Sequence, residues 1–178
     1  MSDCCDRSAP EAAPPRRDAR TPCPRCGAVG REVGDETLQA LLKPGRAAPL
    51  LAVERRFCRT SDCDVLYYGA DGRFVDKEAA TVRIGVKERE DPIPLCYCFG
   101  FSRSDVRKEL AETGGCTIPA RITAEVRAGR CACEVKNPSG SCCLGEVNKA
   151  VKDAREALSR ATSTGGEAPP QGVPNERG

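Results

Sequence analysis

Residues 131–145 read CACEVKNPSGSCCLG and place Cys131, Cys133, Cys142 and Cys143 on either side of the turn Asn137-Pro138-Ser139-Gly140. Three chemistries use cysteine at this density: a disulfide knot, a zinc site, or a thiolate centre completed by ligands from elsewhere in the chain. The choice decides the fold. A knot would make the stretch self-contained, whereas a shared centre would tie it to a distant segment.

The rest of the chain narrows the choice. Its 178 residues include 13 cysteines and no histidine. The odd count disfavours a fully paired disulfide framework. Without histidine, the commonest general base, histidine-bearing zinc sites and Rieske ligation are excluded, so a soft-metal centre must be built mainly from thiolates. The opening MSDCCDRSAPEAAPPRR lacks the apolar core of a secretory signal, and no stretch reads as a membrane span. A cytoplasmic location without membrane insertion is therefore expected, and in a reducing compartment dense cysteine reads as metal-binding. The formal net charge is +2 and only 4% of residues are aromatic, so neither electrostatics nor base stacking argues for nucleic acid. The same scarcity of aromatics predicts a modest core that a metal staple would help to hold. No Gly-rich phosphate loop and no nucleophile–base set stands out, so an enzyme is not expected.

Composition and pattern predict an α+β protein with disordered termini. Residues 1–21 read as a flexible arm and 163–178 as a disordered tail, both rich in Pro and small or polar residues. Between them lie a β-rich half, 22–90, and a helical half, 91–162. In the first, GDETLQALLKPG (34–45) reads as a short helix capped by Asp35 or Thr37 and ended by Pro44-Gly45. LLAVERRFC (50–58) and DVLYYGADGRFVD (64–76) read as strands, with Ala70-Asp71-Gly72 as the hairpin turn, and ATVRIGV (80–86) as a third strand. In the second, Ser102 followed by Asp105 suggests a capping box opening a helix to about Thr113. A further helix is predicted from Thr117, with Pro119 in its first turn, to Gly129. The last, from Leu144, carries Val147, Val151, Ala154 and Leu158 on one core-facing side.

Two thiolate sets emerge. Cys23 and Cys26 in CPRC, with Cys58 and Cys63 in CRTSDC, form two knuckles that can wrap one tetrahedral ion, which suits a closed structural zinc site. Asp62 or Asp64 could substitute if one thiol faced away. The second set pairs Cys96 and Cys98 of CYC with the opening stretch. Each of its loops is placed immediately before a helix, where free N–H groups favour anions. A [2Fe–2S] centre, a second zinc or spare thiols all fit these residues, although C-x-C is unusual for a zinc knuckle.

LCYCFGFS (95–102) and CACEVKNPSGSCCLGEV (131–147), with the upstream FCRTSDCDVLYYG (57–69) and RIGVKERE (83–90), resemble the N-terminal module of CopZ-type metallochaperones over roughly residues 21–148. The second half is also distantly similar to the [2Fe–2S] domain of bacterioferritin-associated ferredoxin. The resemblance implies a zinc-stapled subdomain followed by a helical [2Fe–2S] subdomain. Its cluster ligands would fall on Cys96, Cys98, Cys133 and Cys143, with Cys131 and Cys142 as neighbours or substitutes. Its zinc ligands would fall on Cys23, Cys26, Cys58 and Cys63. The family's copper-transferring Met-x-Cys-x-x-Cys module is not expected here, because the single Met is at position 1.

The implied function is that of an iron–sulfur and zinc redox protein, a metallochaperone or electron-transfer accessory in copper or mercury handling. Its partners would be soft metal ions and a redox or metal-transport protein. Two alternatives stand beside it: a soft-metal scavenger acting through Cys4 and Cys5, and a zinc-only adaptor. Cys116 reads as a partly buried lone thiol.

Overall fold

In a computed structural model the described residues are 21–164. The expected arm and the expected tail lie outside them, except that Thr21 is ordered against Tyr68 and the last helix continues to Thr164.

The first half is built on an antiparallel four-stranded sheet in sequence order: β1 (Arg31–Glu32), β2 (Arg55–Phe57), β3 (Val65–Gly69) and β4 (Phe74–Asp76). Helix α1 (Asp35–Leu41) enters between β1 and β2. Strand β3 is the centre of gravity, since all five of its residues are buried. Leu66 and Tyr67 pack with Leu38, Leu42, Leu50, Phe57, Val75 and Ile84. Each fully buried large side chain contributes about 1.5–3 kcal/mol. The hairpin between β3 and β4 turns as predicted: Gly72 takes φ 83°, and Asp71 Oδ1 accepts the Arg73 N–H.

Three predictions for this half need correction. Only Arg55–Phe57 of 50–58 is strand; Ala48–Leu50 is a 3₁₀ turn led by Pro49. Helix α1 has Gly34 at its N-cap with no side-chain cap, because Thr37 points elsewhere. Residues 80–86 do not form a third strand. The Thr81 N–H bonds to the Leu41 carbonyl at the end of α1, Val82 and Val86 stay exposed, and Gly85–Lys87 closes into a 3₁₀ turn. The alternating pattern there reflects one buried Ile84 rather than sheet pairing.

The second half opens with a small hairpin, β5 (Pro94–Cys96) and β6 (Phe101–Ser102), which sequence reading did not anticipate. Helices α2 (Arg103–Thr113) and α3 (Ile118–Arg127) follow, then the single turn α4 (Cys133–Lys136) and the long α5 (Leu144–Thr164). The predicted capping box is present. Ser102 Oγ accepts the Asp105 N–H at 3.3 Å, and Asp105 Oδ2 accepts the Ser102 N–H at 2.8 Å. Helix α3 begins without the predicted Thr117 cap, because that hydroxyl donates to Glu109 on α2. Its end follows expectation, with Gly129 at φ 69°. Helices α2 and α3 pack on α5 around Val106, Leu110, Ile118, Ile122, Val147, Val151 and Ala154. Leu158, one turn further on, is exposed, so the apolar stripe ends at Ala154.

The halves meet through the turn of the opening stretch. Asn137 is buried and braces that turn: its amide donates to the Ser141 carbonyl, and its Oδ1 accepts the Ser139 N–H. Gly140, at φ 60°, lies so close to Thr37 that a Cβ would stand 3.0 Å from its hydroxyl. Thr37 Oγ1 donates to the Glu134 carbonyl at 2.6 Å, and the Tyr67 hydroxyl to the Pro138 carbonyl at 2.8 Å. Arg59, beside Cys58, pairs with Glu146 on the first turn of α5.

Candidate metal centre

The first thiolate set is gathered into one place. The sulfurs of Cys23, Cys26, Cys58 and Cys63 all lie within 4.8 Å of one another. Cys23 and Cys63 are 3.9 Å apart, and Cys26 and Cys58 are 3.6 Å apart. Four sulfurs about 2.3 Å from one tetrahedral ion would be separated by roughly 3.8 Å, so the cage already has the dimensions of a zinc site. Local sequence explains the cage. The Cys23 carbonyl accepts the Gly27 N–H, and Gly27 takes φ 72°, which turns the chain back toward Ala28. The second knuckle hangs between β2 and β3, and the Cys58 N–H is held by the Leu66 carbonyl at 2.9 Å. Cys23, Cys58 and Cys63 are buried with Val65 and Tyr68, while Cys26 faces outward. Asp62 and Asp64 are not needed: they pair with Arg89 and with Arg25 and Lys77.

The electrostatics suit metal capture. Burial opposes ionisation of Cys26, but bonds from Thr60 Oγ1, from the Ala28 backbone and from its thiol neighbours draw it down to about 6. Burial pushes Cys63 up to about 12 and raises Cys58, where the positive charge of Lys87 pulls the other way. Ionisation is thus favoured at the outward-facing Cys26 and disfavoured at the buried Cys58 and Cys63. A divalent ion displaces thiol protons as it binds.

The second set has a different geometry. Cys98 and Cys133 sulfurs stand 3.7 Å apart, and Cys96 bonds to Cys143. Among the described residues, no three sulfurs of this set close into a single group of the kind found in the first. The bond to Cys143 draws Cys96 down to about 6, helped by the Phe99 and Cys98 backbone. Cys143 is raised by the same bond and then by burial. Burial, followed by the bond to Cys98, pushes Cys133 up to about 12. Each pair therefore holds one thiol whose ionisation is disfavoured, Cys133 or Cys143, and a bound metal would displace its proton. The Ala132 N–H donates to Cys98 Sγ at 3.3 Å. Cys96 and Cys98 sit on the β5–β6 hairpin rather than directly before α2, which corrects the predicted loop. Gly100, at φ 72°, returns its N–H to the Cys96 carbonyl. Cys143 does precede α5 directly, and Cys133 opens the single turn α4.

Of the surplus thiols, Cys131 is half-buried and Cys142 exposed. Cys116 is half-buried as expected, its thiol 3.4 Å from a Glu109 oxygen. Cys4 and Cys5 lie outside the described residues. Sequence reading missed the residues that support the thiol-bearing segments: Thr60 at Cys26 Sγ, Lys87 at the Cys63 carbonyl, and Asn137 inside the turn between Cys133 and Cys143. Neither Thr60 nor Lys87 carries a local signal, because each acts across the fold.

Fold and site together define a thiolate-liganded metal-binding protein of the α+β class. Residues 20–81 match a CopZ-type family model described as a zinc binding domain. The chain is 33% identical over 153 residues to the copper chaperone CopZ of Archaeoglobus fulgidus, spanning 80% of this chain and 72% of that protein. The X-ray structure of the N-terminal domain of that CopZ superposes with a TM-score of 0.60 at 29% identity, covering 72% of this chain and 96% of the domain. The chain belongs to the CopZ family.

Proposed function

We propose that this protein is a cytoplasmic soft-metal chaperone module rather than an enzyme, with a structural zinc subdomain over 22–90 and a redox-active [2Fe–2S] subdomain over 91–162. Cys23, Cys26, Cys58 and Cys63 would hold the zinc. Cys96, Cys98, Cys133 and Cys143 would hold the cluster. The observation that carries this reading is the contrast between the two sets. One is a cage sized for a single tetrahedral ion, and the other is two separate thiol pairs. Two irons each need a pair of thiolates, whereas a lone zinc needs four together. When bound, such a cluster supplies one-electron chemistry, which suits reduction of a copper ion before delivery.

The chain's own groups would set the site's properties. The Ala132 N–H donates to Cys98, and the Phe99 and Cys98 backbone to Cys96, which stabilises negative charge on sulfur. Cys96, Cys133 and Cys143 are buried while Cys98 is part-exposed, so Cys98 marks the side open to a partner. The relative's name supports soft-metal delivery with copper as the cargo, and the recipient this reading implies is a metal-transport protein. Anaerobic purification with metal and sulfide analysis tests the proposal. The expected result is about two iron, two sulfide and one zinc per chain with visible absorption. A colourless, iron-free protein carrying about two zinc would replace it with the zinc-only adaptor.

A further inference from the structure

A divalent ion held by four thiolates leaves the site dianionic, and most of the first set is sequestered from water. A buried anion of that kind needs a compensating cation. Lys87 is 6% exposed, a degree of burial that lysine seldom reaches unless paired. Its Nζ donates to the Cys63 carbonyl at 2.7 Å and to the Thr60 carbonyl at 3.0 Å, both on the second knuckle. Among the described residues no carboxylate forms an ion pair with it. The neighbouring acids are taken by other bases: Glu88 by Arg83, Asp62 by Arg89, and Asp64 by Arg25 and Lys77. Its charge acts on the Cys58 thiol.

The backbone holds Lys87 in place. It ends the 3₁₀ turn Gly85–Lys87, with its own N–H on the Ile84 carbonyl at 2.7 Å. The turn is pinned at its other end, where the Gly85 N–H donates to the Tyr97 hydroxyl at 2.8 Å. Gly85 is packed so tightly that a Cβ would meet the Pro94 carbonyl oxygen. The backbone that carries the ammonium is therefore held from both ends.

We infer that Lys87 is a positioning residue of the four-cysteine site: its buried charge offsets the thiolates, its two hydrogen bonds lock the second knuckle, and together they retain the ion. This rests on reading the first set as a zinc site. The charge matters as well as the hydrogen bonds, because carbonyl acceptors alone would not require an ammonium.

Three full-length variants separate these parts. Lys87→Met removes charge and donors, Lys87→Gln keeps a donor without charge, and Lys87→Arg keeps both. Zinc-loaded proteins are mixed with a chromophoric chelator, and the release rate and zinc affinity are measured. Cobalt(II) substitution reports the thiolate-to-metal absorption, and circular dichroism reports folding. Supporting partners of metal ligands typically change affinity 10–100-fold when lost. Lys87→Met and Lys87→Gln should therefore release zinc at least about tenfold faster, while Lys87→Arg stays within about threefold of wild type. A folded Lys87→Met or Lys87→Gln protein with wild-type zinc retention overturns the inference. If Lys87→Met does not fold, the Gln and Arg variants decide, and equal loss in both reduces Lys87 to a packing role and overturns it as well. Wild-type protein that takes up no zinc fails at an earlier step and rejects the zinc reading itself.

Discussion

Cys142 and Cys143 are adjacent and chemically identical, yet the fold gives them opposite surroundings. Cys143 is buried against Cys96, whereas Cys142 faces solvent. The same split separates Cys133, which meets Cys98, from the half-buried Cys131. Cys143→Ser is expected to abolish most of the visible absorption of anaerobically prepared protein, and Cys142→Ser to leave it within about 20% of wild type. Equal losses in both would show that the two thiols exchange as ligands. Asn137 gives a second test. Its amide satisfies a carbonyl and an N–H inside the turn. Asn137→Ala should lower unfolding free energy by about 1–3 kcal/mol in a denaturant titration, because buried partners are left unpaired. Local spacing could not separate these neighbours, since burial is decided by what packs on them from elsewhere.

At the scale of elements, the capping box of α2 was legible in the sequence because both partners lie within four residues. Ser102→Ala should cost about 1 kcal/mol of stability, measured by thermal or chemical unfolding. The pH dependence has a definite sign. Bonds from the Ser102 hydroxyl and then its backbone hold the Asp105 carboxyl below its ordinary value. A depressed carboxyl contributes its stability above the unfolded value, about 3.9, and loses it as pH falls through the lower folded value. Wild-type protein should therefore lose this contribution on acidification below about pH 4, and Ser102→Ala should show a shallower acid slope. Identical slopes would remove the box as the cause. Elements read from alternation alone fared worse. The strand predicted over 80–86 failed because one buried Ile84 imitates a period of two, while the backbone there bonds to the end of α1. The hairpin β5–β6 was missed because its five residues are too few to carry a pattern.

At the scale of the whole molecule, the turn of the opening stretch is the seam between halves. Tyr67→Phe deletes the hydroxyl that reaches the Pro138 carbonyl from the buried centre of β3. It should lower the unfolding midpoint by an amount equivalent to about 1–3 kcal/mol and loosen the second thiolate set as well, seen as faster bleaching of its absorption in air. Bleaching at the wild-type rate would mean that the halves hold their metals independently. The sequence by itself determined the chemistry: thiolates without histidine, two knuckles at recognisable spacing, the capping box of α2 and the glycine stop of α3. These are short-range properties that composition and neighbouring residues are enough to set. Only the tertiary structure decided which cysteines face one another, that the first set closes into a cage while the second remains two pairs, and that Lys87, Tyr67 and Thr37 serve segments far from their own. Those choices come from burial and from hydrogen bonds across large sequence separations, which arise only when the chain packs against itself.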